Sequence, residues 1–135
     1  MVTMTIDYQG GLRCQAEHGP SGRSLTTDAP LDNHGRGESF SPTDLLATAA
    51  ASCMLTIMGI KAEEKGWSLA GTRATVVKQM SSEGPRRVAA LQIDVRLPQA
   101  LDDAAVELLQ RVALACPVLQ SLHPDVAIRH QFQRG

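Results

Sequence analysis

The spacing of apolar positions changes several times along this chain, and each change predicts an element. In the first thirty residues short β-compatible runs (MTIDY, GLRCQAEH and SLTTD) alternate with turn signals, of which GPSGR is the clearest. They predict antiparallel strands in a hairpin or meander. Residues 29–40, APLDNHGRGESF, are dense in Gly, Pro, Asp, Asn and Ser and predict a loop. The pattern then becomes uniformly apolar, with no charge in the sixteen residues from Leu45 to Ile60. Start and stop signals frame that run as a helix. Ser41 is a cap, Pro42 suits the first helical position, and Asp44 stands three residues after the cap, near the positive end of the helix dipole. The polar KAEEK segment and Gly66 mark the end. About 24 residues at about 1.5 Å each make a rod of roughly 36 Å, long for a small domain.

Two β-rich runs follow, WSLAGTRATVVKQM and RRVAALQIDVRL, separated by SSEGP. They predict a hairpin whose alternation runs Val88, Ala90 or Leu91, Ile93, Val95, Leu97, ended by Pro98. Residues 100–115 place Leu101, Ala104 or Ala105, Leu108, Val112 and Ala115 at helical spacing and predict an amphipathic helix. A short helix PVLQSL and a closing strand VAIRHQFQ complete the chain. There is no internal repeat and no linker that would separate domains, so residues 1–135 are expected to form one domain.

The long helix is apolar on every side, which calls for cover on every side. One subunit of this size also has sheets to cover, so a second subunit is the expected source. Sixteen uncharged residues fall short of the roughly 18 to 20 that cross a bilayer, and Thr48, Ser52 and Thr56 dilute them. A core helix is expected, with no membrane partner.

Composition narrows the chemistry. Thirteen Lys and Arg against fourteen Asp and Glu give no electrostatic drive toward nucleic acid. Four aromatic residues leave few stacking surfaces for bases, and the core must be built from Ala, Leu, Val, Ile and Met. MVTMTIDYQG has neither a basic start nor an apolar h-region, so a cytoplasmic location is expected. In that compartment three cysteines, an odd number, point to packing, metal binding or redox chemistry instead of a disulfide framework. No CxxC, HExxH or CxxxH spacing occurs and the histidines are scattered, so no metal site is expected.

Two cysteines have distinct settings. Cys53 lies in the middle of the apolar helix, beyond reach of the dipole, where burial alone makes a thiol inert. Cys116 immediately precedes Pro117, which places it at the cap of the short helix facing the free N–H groups of Val118 and Leu119. That setting favours a thiolate or an easily displaced sulfur. The pair suits a nucleophile and a resolving partner, provided the fold brings them together. Cys14, on a predicted strand, reads as a packed or edge thiol, and His34 as a loop residue.

The segments SPTDLLATAAASCM, ACPVLQSL and GGLRCQAEHGPSGRSLTTD together resemble the OsmC/Ohr family of osmotically induced and organic hydroperoxide resistance proteins, across nearly the whole chain. The resemblance implies an α+β fold in which antiparallel sheets wrap around a long central helix carrying Cys53, assembled as an intertwined homodimer. It implies that Cys53 attacks an organic hydroperoxide to give a sulfenic acid and that Cys116 condenses with it to a disulfide. It further implies recycling by a dithiol reductant, by family analogy protein-bound dihydrolipoamide, with no metal, flavin or haem.

In that family an arginine from the N-terminal region stabilises the thiolate, and a glutamate ten residues before the first cysteine orients it. Here that position is Thr43, with Asp44 one place later, and Pro20 falls where the arginine stands. Arg23 and Arg36 are the candidates for the guanidinium, which would lower the Cys53 pKa by its charge, or else are solvated turn residues. Glu38 either orients an arginine or faces water, and Asp44 is a capping acid before it is a catalytic helper. The Thr43 departure allows a rival reading, an OsmC-like binding protein with an apolar dimeric pocket and no fast peroxidase chemistry; a third reading is a purely structural helix with buried thiols.

Overall fold

The computed structural model describes residues 1–135. In chain order the elements are β1 (Met4–Gly10), β2 (Arg13–His18), β3 (Ser24–Asp28), a single 3-10 turn (Leu31–Asn33), α1 (Pro42–Lys65), β4 (Arg73–Met80), β5 (Val88–Leu97), α2 (Asp103–Leu114), α3 (Pro117–Ser121) and β6 (Ala127–Arg134). The fold is α+β with a long helix, as expected, and holds two three-stranded sheets. The chain divides into two compact units, Met1–Leu46 and Ala47–Gly135, with the division inside α1.

In the first unit β1, β2 and β3 pair antiparallel in that order. The register sets Met4 opposite His18, Ile6 opposite Ala16 and Tyr8 opposite Cys14, while Ala16 faces Leu25 across the second pair. Directly opposed residues point to the same side of a sheet. Met4, Ile6, Tyr8, Ala16 and Leu25 therefore share one apolar face, and Ile6 and Tyr8 keep 60% and 66% of their surface exposed within the chain. The other face carries Arg13, Gln15, Glu17, Thr26 and Asp28.

The start of α1 is fixed by a reciprocal capping box. Ser41 Oγ accepts from the Asp44 N–H at 3.1 Å, and Asp44 Oδ2 accepts from the Ser41 N–H at 2.9 Å. Asp44 fills the place where a longer acid is usual, and two otherwise orphaned N–H groups gain partners. At the other end Gly66 takes the left-handed conformation (φ +71°). Its N–H donates to Glu63 O, and the Trp67 N–H donates to Ala62 O, the paired bonds of a Schellman ending.

The second unit contains the body of α1, α2, α3 and the sheet β4-β5-β6. That sheet is mixed: β4 and β5 form the expected antiparallel hairpin, whereas β6 runs parallel to β5. Parallel neighbours need a crossover, and α2 with α3 provides it between β5 and β6. Leu91, Ile93, Val95 and Leu97 are buried along one side of β5, with Met54 and Met58 of α1 and Leu109 and Ala113 of α2 buried alongside. Each large side chain in that core contributes about 1.5–3 kcal/mol of burial.

By length and hydropathy alone α1 is sufficient to cross a membrane, a wider criterion than the sixteen-residue uncharged run suggests. Its buried stripe of Ala47, Ala50, Ala51, Met54, Met58 and Ala62 is that of a core helix. Ala49, Ser52, Thr56 and Ile60 remain exposed in the single chain.

Candidate functional site

Cys53 sits on the border of the buried stripe of α1, between exposed Ser52 and buried Met54, and is itself half-buried. The two nearest hydroxyls are turned into the helix: Ser52 Oγ donates to Ala49 O at 3.2 Å and Thr56 Oγ1 to Ser52 O at 2.8 Å. This back-bonding commits both hydroxyl protons to carbonyls of the preceding turn.

Cys116 stands where α2 gives way to α3. Its N–H donates to Ala113 O at 3.1 Å, which ties it to the last turn of α2, and Pro117 occupies the first position of α3 as expected. The backbone at Cys116 is extended (φ −64°, ψ 150°), the conformation of a cap residue, without a side-chain capping hydrogen bond. The side chain is completely buried.

The two sulfurs lie close together. Burial pushes the Cys116 thiol above its ordinary value, the N–H of Leu119 pulls the other way, a hydrogen bond and charge interaction with Cys53 push upward again, and the N–H of Val118 opposes them. Burial wins because an apolar surround penalises the thiolate more than two amides support it. Burial thus disfavours the Cys116 thiolate beside Cys53. Both are free thiols, as is half-buried Cys14 on β2, whose register partner is Tyr8.

The first unit holds a compact charged cluster. Arg13 Nη2 donates to Glu38 Oε2 at 2.7 Å and lies 3.5 Å from Asp28 Oδ2. Asp28 Oδ2 also accepts from the Glu38 N–H at 2.9 Å, and the Asp28 N–H donates to Phe40 O, so β3 fastens the loop that carries Glu38. Glu38 first and Asp28 second strengthen the hold of Arg13 on its charge. Asp28 is 1% exposed and its Oδ1 has no partner.

Arg13 was not singled out from the sequence, because its acids are distant along the chain and only strand pairing brings them together. Of the two arginines that were, Arg23 lines a shallow, largely apolar depression of about 270 Å³ with Met4, Ala16, His18 and Leu25, and Arg36 is an exposed loop residue. Glu38 does engage an arginine. Asp44 is engaged in the cap, and the Thr43 hydroxyl lies 3.3 Å from Ser41 Oγ in the same turn. No three His, Cys, Asp or Glu side chains gather as a metal-binding group.

The profile of the OsmC-like protein family matches residues 35–131. No curated protein sequence matches the chain. Among solved structures, one from Psychrobacter arcticus 273-4, named provisionally as an osmotic stress induced and detoxification response protein, is 48% identical, with a TM-score of 0.93 over 98% of this chain and 96% of that one. An OsmC organic hydroperoxide resistance protein from Legionella pneumophila superposes with a TM-score of 0.78 at 16% identity, covering 98% of this chain and 96% of the other. An OsmC-like protein from Mycoplasma pneumoniae gives 0.83 at 16% identity, covering 99% and 96%. At such identities the last two likenesses are of fold. The profile match and the 48% relative carry more: this chain belongs to the OsmC-like protein family.

Proposed function

We propose that the protein is a thiol peroxidase that reduces organic hydroperoxides. The observation that carries the proposal is the adjacency of two free thiols with different surroundings, Cys53 on the border of α1 and Cys116 buried beside it. The Cys53 thiolate attacks the outer peroxide oxygen; a sulfur–oxygen bond forms, the oxygen–oxygen bond breaks, and the alkoxide leaves as an alcohol after taking a proton. Cys116 then attacks the resulting sulfenic sulfur, a disulfide forms and water leaves. A dithiol reductant returns both thiols.

Each unit presents apolar surface that suits a homodimer: the Met4, Ile6, Tyr8 and Leu25 face in the first, and Ile60 of α1 in the second. One domain spanning the whole chain, in a reducing compartment such as the cytoplasm, is consistent with three unpaired cysteines. The competing reading is an OsmC-like binding protein without fast chemistry, favoured by the absence of a carboxylate at Thr43. Thiol titration after one equivalent of cumene hydroperoxide separates them. Loss of two thiols per chain with Cys14 retained supports the peroxidase, and retention of all three supports the binding protein.

A further inference from the structure

Resting on the peroxidase reading, we infer that the reducing thiolate enters the Cys53–Cys116 disulfide at Cys53 Sγ and expels Cys116 as the leaving sulfur. A thiolate displaces a disulfide sulfur in line, approaching the attacked atom from the side opposite its partner, so access to that side decides which sulfur is hit. Cys116 has no exposed surface even in a single chain, and its backbone is tied to the end of α2. A second copy of the chain can cover surface but cannot uncover Cys116.

Cys53 differs. It keeps part of its surface open, and the residues flanking it along α1, Ala49, Ser52 and Thr56, are exposed. Oxidant and reductant thus reach the same sulfur in successive half-reactions.

The step balances as follows. The first sulfur of the dithiol bonds to Cys53 Sγ, the Cys53–Cys116 bond breaks, and the electron pair stays on Cys116. That thiolate takes up a proton, favoured by its burial. The second thiol of the reductant then attacks the reductant sulfur of the mixed disulfide, releasing the Cys53 thiolate and a cyclic disulfide. Leaving-group acidity by itself does not favour Cys116, since burial disfavours its thiolate; access outweighs it.

The test uses the full chain oxidised with one equivalent of cumene hydroperoxide, exposed briefly to β-mercaptoethanol, quenched in acid, alkylated with N-ethylmaleimide and mapped by peptide mass. The expected result is β-mercaptoethanol on Cys53 and the maleimide on Cys116, about tenfold or more over the reverse arrangement. A comparable or larger share of β-mercaptoethanol on Cys116 overturns the inference while leaving the peroxidase intact. If no Cys53–Cys116 disulfide appears before the thiol is added, the peroxidase reading and the inference fall together. Single-cysteine chains give a second readout. In Cys14→Ser/Cys116→Ser protein, Cys53 should exchange with an aromatic disulfide at least about tenfold faster than Cys116 does in Cys14→Ser/Cys53→Ser protein, the gap closing in urea. Equal rates in folded protein, judged by circular dichroism, overturn it.

Discussion

Cys116 shares a hydrogen bond with Cys53 while offering no surface of its own to solvent. On the proposed peroxidase reading, a buried thiol beside a half-open one gives the first attack to Cys53 and the resolving step to Cys116. Cys53→Ser should abolish peroxide consumption. Cys116→Ser should allow one turnover and then accumulate a sulfenic acid that dimedone traps and mass spectrometry detects. Equal partial losses in the two variants would remove the distinction.

The raised pKa of Cys116 also makes a stability prediction. Below the ordinary thiol pKa of about 8.5, both folded and unfolded chains keep this proton and pH has no leverage. Above it the unfolded chain releases the proton first while the folded chain still holds it, so the folded state binds more protons and stability falls as pH rises. The fall continues until the raised folded value is passed. Urea unfolding at pH 7 and pH 10 under reducing conditions should show an alkaline loss that is smaller in Cys116→Ala. An identical pH dependence in the variant would mean that Cys116 ionises equally easily in both states.

The apolar face of β1 supplies a test of assembly. Met4, Ile6 and Tyr8 alternate outward with more than half of each side chain exposed, a pattern that a sheet seldom presents to water. Sedimentation at low micromolar concentration should give about twice the 14.4 kDa chain mass. Ile6→Asp should shift the protein toward monomer, whereas Glu17→Lys on the opposite side of the same sheet should not. A folded wild-type monomer would leave that face without an occupant.

Local signals made much of this architecture legible. Ser41, Pro42 and Asp44 announced the start of α1, Gly66 its end, and Pro117 the small helix capped by Cys116; in each case the deciding interaction lies within a few residues. Alternation along Val88–Leu97 likewise revealed a half-buried strand. What escaped depends on pairing between distant segments. The direction of β6 is set by a crossover, and the final strand has the same composition whether it runs parallel or antiparallel. Arg13 escaped for a similar reason: an arginine on a polar strand face becomes distinctive only when β3 and the following loop carry Asp28 and Glu38 to it. The approach of Cys53 to Cys116 was implied by family resemblance, since spacing alone left it open.

The choice of peroxide follows from what surrounds Cys53 on α1. Ala49, Ala50 and Ile57, one turn away, are apolar, and Ser52 and Thr56 commit their hydroxyls to carbonyls of the preceding turn. Neither hydroxyl beside Cys53 on this helix has a free proton to donate to the second oxygen of hydrogen peroxide. An alkyl or aryl hydroperoxide gains instead by hiding its tail: at about 25 cal/mol per Å², roughly 100 Å² of tail contributes on the order of 2 kcal/mol to transition-state binding. That energy corresponds to a preference of about thirtyfold, smaller if the tail stays partly wet. The measurement is kcat/KM for cumene or tert-butyl hydroperoxide against hydrogen peroxide with one dithiol reductant. Ile57→Ser should narrow the ratio by removing apolar surface beside the sulfur. Equal values for the wild-type protein, or a preference for hydrogen peroxide, would show that the apolar neighbours of Cys53 serve packing alone.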